Sequence, residues 1–342
     1  MAVDGRVVCF GELMLRLAAP DGELLLQSAR LDARYGGAEA NVAASLARFG
    51  DAASLVTVLP DNPLGRAARD ELRRHGVDVS SLRWSDGRLG LYFLVPGAVV
   101  RPSEVIYDRA GSAFAAASPD LIDWDGELAG AAWLHLSGVT PAIGPNASEA
   151  ALRAVAAARR LGVRVSFDGN YRAKLWAVWK GDGPAVLRRL VGAADLAFVD
   201  ERDIALVLGR PFAEPDDPAA RRRAAAEAAF EAFPELQRIA STFRRALGVD
   251  HHELSAVMFT RGGGEIRTRA FSLTGIVDRI GGGDAFAAGV LHGLLNGLDD
   301  AAALDFGLGA AALKHGIRGD FNLASVEDVQ AVLSGGGLDV KR

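Results

Sequence analysis

From about residue 131 onward, short apolar runs that suit strands alternate with stretches of helical periodicity, and this rhythm admits few folds. Strands are expected near 133–138, 163–167, 195–199, 237–242, 255–260 and 265–272. Helices are expected near 147–161, 184–193, 201–208, 217–232, 284–296, 300–315 and 325–333. Repeated strand–helix–strand crossovers give an α/β architecture: a mostly parallel central sheet with helices on both faces and ligands beyond the strand C-termini. The N-terminal part starts with the same rhythm, in a strand from Arg6, a helix from Ala38 to Arg48 closed by Gly50, a strand from Ala53 to Leu59 and a helix from Leu64 to His75 ending on Gly76. Two stretches break it. Leu13 to Leu17 alternates like a strand with one wet face, Leu24 to Tyr35 continues extended, and between Leu82 and Asp108 there are extended pieces with turn residues but no helix. These pieces predict a small separate β-sheet, formed from about 12–36 and 82–112, inserted in the N-terminal third of a single domain spanning 1–342 and projecting from it.

Composition narrows the partners. The net charge of −5 offers no general basic face for nucleic acid or a membrane surface, so neither is expected. The lone Cys9, within Val7-Val8-Cys9-Phe10, reads as a buried small hydrophobe. The chain lacks an apolar run of membrane-spanning length and a basic segment followed by an apolar one at its start, which predicts a cytoplasmic protein. His251-His252 has no cysteine or acid at zinc spacing, and Arg221-Arg222-Arg223, on a helix with Glu227 and Glu231, reads as a solvated face.

The chemistry concentrates in Asp278-Arg279-Ile280-Gly281-Gly282-Gly283-Asp284. Apolar side chains then fall at Phe286, Val290, Leu291, Leu294 and Leu295, the spacing of a helix with one buried face. The glycines therefore sit at a helix N-terminus, where unpaired amides and the helix dipole favour an anion, phosphate above all. Asp284 has two readings. An aspartate in the first turn favours the dipole, or its carboxylate takes a hydroxyl proton as that oxygen attacks a phosphoryl group held by the glycine amides. Phosphoryl transfer asks mainly for positioning and charge stabilisation, so a weak base suffices.

This stretch resembles the C-terminal signature of the ribokinase-like (PfkB) carbohydrate kinases, Asp-Thr-x-Gly-Ala-Gly-Asp, with Arg279 for the Thr and Gly282 for the Ala. Gly36-Gly37 followed by Asn41 on a helix is similar to the family's N-terminal signature. The resemblance covers nearly the whole chain. It implies a ribokinase-like fold whose β lid serves as a dimer clasp, ATP as donor, and Mg²⁺ held through ATP phosphates and water rather than by a protein cage. It further implies Asp284 as catalytic base and Gly281, Gly282 and Gly283 as anion hole. Within the family, Tyr35 to Asn41, Ile106 to Arg109, Phe167 to Arg172, Asp278 to Asp284 and Leu313 to Asn322 resemble 2-keto-3-deoxygluconate kinases, which phosphorylate the substrate's terminal hydroxyl to the 6-phosphate. That likeness implies Gly36, Gly37, Asn41, Tyr92, Tyr107, Arg109, Arg172 and Asp320 on the substrate side. Arg109 and Arg172 would grip the carboxylate, as a planar guanidinium does in a bidentate fork. Tyr92 and Tyr107 would be aromatic walls, and Asp320 would meet a hydroxyl.

On the nucleotide side the resemblance implies Asn170, Thr260 and Gly262. Two loops compete there, Ser241 to Arg244 and Thr260 to Gly264, and Asp200-Glu201-Arg202-Asp203 stands where many members have Asn-x-x-Glu. Residues 210–250 look like an insertion. Alternatives are a kinase for another sugar or sugar acid (fructose, ribose, 5-keto-2-deoxygluconate) and a non-catalytic sugar-acid-binding protein on the same fold. A dehydrogenase would want Gly-x-Gly-x-x-Gly after the first strand, where the chain has Phe10-Gly11-Glu12.

Overall fold

The structure, a computed structural model, describes residues 5–212 and 217–335. Its strands run, in chain order, β1 (Arg6–Phe10), β2 (Met14–Ala18), β3 (Asp32–Gly36), β4 (Ala53–Pro60), β5 (Leu82–Ser85), β6 (Gly90–Val95), β7 (Glu104–Asp108), β8 (Ala131–Ser137), β9 (Arg164–Asp168), β10 (Leu196–Phe198), β11 (Arg238–Ala246), β12 (His251–Thr260), β13 (Gly264–Arg267) and β14 (Phe271–Thr274). The large sheet has the order β13-β12-β11-β10-β9-β8-β1-β4-β5, with β14 also on β12. From β5 to β11 all neighbours are parallel, and β12 then turns back antiparallel on β11.

Both faces are covered, which is why these strands read as continuous apolar runs; β4 is buried at every position. The two-residue period sends neighbours to opposite cores. Val8 and Phe10 face a core with Leu134, Leu136, Val165 and Phe167, while Val7 and Cys9 face one with Leu55, Trp133, Val290 and Leu308. Helices Gly282–Leu295 and Asp300–Lys314 pack so tightly in the second core that a Cβ on Gly289 would lie 2.7 Å from the Cα of Gly307. That backbone contact fixes the helix whose N-terminus carries the glycines.

The small sheet has the order β3-β2-β6-β7. Four expectations change. Leu82–Ser85 pairs in parallel with β4 at the edge of the large sheet, so it lies outside the lid: an extended pattern reveals a strand but not its partner. Residues 265–272 divide into two strands that both lie on β12, and Ala173–Trp179 adds a helix. Finally, β2 is inverted relative to its expected wet face, with Met14, Arg16 and Ala18 buried and Leu15 and Leu17 half-buried. Its polar residue points under the lid.

Candidate active site

Gly281 begins the helix Gly282–Leu295 at φ 83°, and a Cβ there would stand 2.0 Å from the carbonyl oxygen of Asp320, so only glycine fits. The loop is pinned by Asp278. Its Oδ1 accepts from the amide of Ile280 at 3.0 Å, and its Oδ2 from the amide of Gly319 at 3.0 Å and from Nη2 of Arg16 at 2.7 Å.

Asp284 follows in the first turn, half-buried. Its Oδ2 accepts from Nδ2 of Asn41 at 2.6 Å, and Oδ1 of Asn41 in turn accepts from the amide of Gly37 at 3.3 Å. Asn41, expected on the substrate, thus donates to Asp284, the expected base. Burial, first of all, raises the Asp284 carboxyl to about 8; the Asn41 hydrogen bond opposes this, and the charges of Asp168, Asp320 and Glu39 reinforce it. A value near the working pH suits a group that must accept a proton and later release it.

Asp284 opens on a cavity of about 470 Å³, a size that suits a small polar ligand. Gly37, Asn41, Tyr92, Tyr107, Arg109, Arg172, Gly281, Gly283 and Asp320 all line it, as does Asn170. Gly36 lies behind the wall, where a Cβ would strike Oδ2 of Asp320 at 2.1 Å. Asp320 already has partners: Nη1 of Arg16 at 2.9 Å and the hydroxyl of Tyr92, which donates to it. Arg109 is buried and paired, its Nη2 2.6 Å from Oε2 of Glu12, which also holds the Ser112 hydroxyl through Oε1. Its guanidinium lies 5.6 Å from the ring centre of Tyr107. Arg172 differs. It is exposed, and its guanidinium donates to the carbonyl of neighbouring Tyr171 at 3.2 Å.

The sequence reading missed Arg16, Glu12, Glu39 and Asp168. Oε1 of Glu39 accepts from the Ser137 amide and from the Ser137 and Thr140 hydroxyls, while buried Oε2 has no partner among the described residues. Burial pushes its carboxyl up. Asp168 is raised to about 7, by burial first and then by the charge of Asp203, itself raised to about 6 chiefly by burial. No motif marks these acids, but each ends or follows a parallel strand or opens a helix at the sheet's ligand edge.

On the other side of Gly283 lies a second cleft of about 450 Å³, lined by Gly282, Asp200, Glu201, Arg202, Thr242, Arg244, Arg279 and His315. Of the two competing loops, the first reaches this cleft, through Thr242, Phe243 and Arg244. Thr260 and Gly262 are not brought to the site, which corrects that expectation: β12 is antiparallel, so Thr260 pairs with Arg238 at the start of β11, away from the sheet's ligand edge. The expected strands, 237–242 and 255–260, left a gap long enough for a crossover; the structure extends both, and the residues 247–250 that remain are too few for one. Asn170, expected on the nucleotide, stands on the acceptor wall instead.

Asp200 caps the helix Glu201–Leu208 through the amides of Arg202 and Asp203 and holds the Arg202 guanidinium, and Asp203 accepts from the Asp200 amide. Among the described residues no group of three or more His, Cys, Asp or Glu is placed to hold a metal ion, and no helix is long and apolar enough to cross a membrane.

The pfkB family carbohydrate kinase pattern matches residues 4–322. The chain is 35% identical over 345 residues to the 2-dehydro-3-deoxygalactonokinase of Haloferax volcanii, covering 98% of this chain and 99% of the relative. It is 31% identical over 320 residues to the 2-dehydro-3-deoxygluconokinase of Thermoproteus tenax, covering 92% and 89%. The crystal structure of the 2-dehydro-3-deoxygluconokinase of Thermotoga maritima superposes with a TM-score of 0.90 at 38% identity, covering 97% of this chain and all of that one. With a glycine-capped helix, an adjacent half-buried carboxylate and two clefts meeting at Gly283, the chain belongs to the pfkB family and is an ATP-dependent carbohydrate kinase.

Proposed function

We propose that the enzyme phosphorylates a 2-keto-3-deoxy sugar acid, 2-keto-3-deoxygluconate or its C4 epimer, on the terminal hydroxyl, giving the 6-phosphate. The observation that carries this reading is Arg172, a guanidinium without an ion-pair partner among the described residues, lining the same cavity as the Asp284–Asn41 pair. A cationic end and a basic end in one cavity suit an acceptor with a carboxylate at one terminus and a primary hydroxyl at the other. The relatives named above carry names of that substrate class.

In this reading Asn41 fixes the direction of the Asp284 lone pair, and Asp284 takes the hydroxyl proton as the oxygen attacks the phosphoryl group. The Gly281–Gly283 amides meet the charge on the transferred group, and the tyrosine walls and lid keep water out. Mg²⁺ would neutralise phosphate charge, entering on the ATP phosphates with Asp200, Glu201 and Asp203 meeting its waters. On this reading the reaction runs in the cytoplasm, where ATP is supplied.

The same reading includes a dimer through the lid. Leu17, Phe93 and Ile106 lie across from one another in register on the face turned away from the cavity, half-buried or exposed. A second copy of that face would cover them. Phe93→Arg should then give monomers in sedimentation, and an unchanged species would remove the lid as the clasp. For the substrate, ATP consumption is measured against sugar acids and neutral sugars of equal length. Turnover confined to 2-keto-3-deoxy acids is the expected result, and preference for fructose or ribose would overturn it.

A further inference from the structure

Arg244 lies on β11 and Arg279 two residues before Gly281, and both line the nucleotide cleft. Arg279 also lines the acceptor cavity. Around these clefts Arg16, Arg109 and Arg202 each hold a carboxylate. Among the described residues Arg244 and Arg279 hold none; Arg279 donates only to Oγ of Ser103, at 3.3 Å, and Arg244 has no side-chain hydrogen bond. Arg279 is half-buried and Arg244 exposed at the cleft mouth, and the charge of Arg279 reaches Arg244 closely enough to lower its proton affinity, after the lowering that partial desolvation of the guanidinium causes. Like charges brought together without a counter-charge are costly unless an anion completes the site. Moreover, the family signature has Thr where this chain has Arg279, so the cation is a feature of this sequence.

We infer that Arg244 and Arg279 clamp the triphosphate of the donor nucleotide, Arg244 holding it in the cleft and Arg279, which faces both cavities, holding the γ-phosphoryl group as it passes to the acceptor. The inference rests on the kinase reading. In the step itself, a bond forms between the acceptor oxygen and the γ-phosphorus, and the bond from that phosphorus to the β–γ bridging oxygen breaks. The electron pair stays on that oxygen of the departing ADP, and the hydroxyl proton passes to Asp284. Arg279 meets the charge on the equatorial oxygens throughout, the task a cationic finger performs in other phosphoryl transfers.

Calorimetric titration of ADP and of a non-hydrolysable ATP analogue into wild type, Arg244→Gln, Arg279→Gln and the two lysine variants tests this, with thermal melts to verify folding. Arg244→Gln should weaken both nucleotides by about 10- to 150-fold, the loss of one charge-assisted contact. Arg279→Gln should weaken the ATP analogue more than ADP and lower kcat by on the order of 10³-fold, while sugar-acid binding to the nucleotide-free enzyme is unchanged. The lysine variants, which keep the charge and the fold, should be intermediate. Folded glutamine variants that bind nucleotide like wild type overturn the clamp. So does an Arg279→Gln protein that loses sugar-acid affinity without nucleotide, because Arg279 would then serve the acceptor. Wild type that binds nucleotide yet phosphorylates no sugar acid removes the proposed substrate and leaves the clamp standing.

Discussion

The two clefts that meet at Gly283 treat charge in opposite ways. On the acceptor side most buried charges are met within the protein: Arg16 spans Asp278 and Asp320, Arg109 takes Glu12, and Tyr92 donates to Asp320, while Glu39 keeps one oxygen unpartnered among the described residues and exposed Arg172 has no carboxylate. On the nucleotide side Arg244 and Arg279 are left without carboxylates among the described residues. The difference follows from what each side must recognise. A hydroxyl has to be aimed to within tenths of an ångström, which asks for walls whose own hydrogen bonds are complete before it arrives. A polyphosphate brings several charges and is drawn in best by cations that have nothing else to bind.

The largest effect should come from the residue at the junction. Asp284→Asn is expected to lower turnover by roughly 10²- to 10⁴-fold, with sugar-acid and nucleotide affinities retained, because only proton transfer is lost. The wild-type rate should also rise with pH toward about 8, since the base acts ionised and burial holds its carboxyl there. A pH–rate profile flat from 6 to 8.5, or an asparagine variant as fast as wild type, would take Asp284 out of the chemistry.

Next in size is the contrast between arginines. Arg16→Met leaves Asp278 and Asp320 buried with their shared cation gone, and breaking a buried pair in this way costs about 3–5 kcal/mol. Arg244→Met removes a cation with no carboxylate partner, so denaturant melts should find it as stable as wild type or more so. Equal losses in both variants would mean that Arg244 has a structural partner and that the two clefts do not differ as described.

How far the sequence could be read follows the same division. The strands and helices after residue 131 were readable because they repeat, and the Gly281–Asp284 loop because few functions need three glycines and an acid at a helix start. Strand direction was not in the strand patterns, and so Thr260 and Gly262 were expected at a site they do not reach. Pairing was hidden for a different reason. Arg16 sits in a strand whose apolar neighbours read as the buried side, and its partners Asp278 and Asp320 are distant in sequence. Arg109 looked free for a substrate carboxylate because nothing local says that Glu12 holds it.

That last point sharpens the specificity test. Arg172→Ala should raise KM for the sugar acid by about 10- to 150-fold, from the loss of about 1.5–3 kcal/mol of charge-assisted bonding, and leave a neutral sugar of the same length unaffected. Arg109→Ala should impair both substrates and lower stability as well, because Glu12 is left buried and alone. If both variants lose affinity for the two substrates in parallel, Arg172 serves the wall and not the carboxylate.

The smallest effect concerns Mg²⁺ without nucleotide. Asp200 is occupied by its helix cap and by Arg202, and Asp203 by the Asp200 amide, so neither offers a free carboxylate. Burial, with the charge of Asp203 acting on Asp168 and that of Asp200 on Asp203, also holds Asp168 at about 7 and Asp203 at about 6, so near neutral pH each is partly protonated and a weak ligand. Mg²⁺ gives up its waters reluctantly and prefers phosphate oxygens to such acids. Calorimetric titration of the apo protein should therefore show only weak binding, and binding in the presence of a non-hydrolysable ATP analogue should be stronger. The sign with pH follows from the same acids. A cation near them favours their ionised forms, so Mg²⁺-nucleotide binding should release protons and tighten from pH 5.5 to 8, with heats that change between buffers of different ionisation enthalpy. Tight stoichiometric Mg²⁺ binding to the apo protein would instead mean that the acids of the nucleotide cleft already form a cage, and the charge contrast between the two clefts would have to be redrawn.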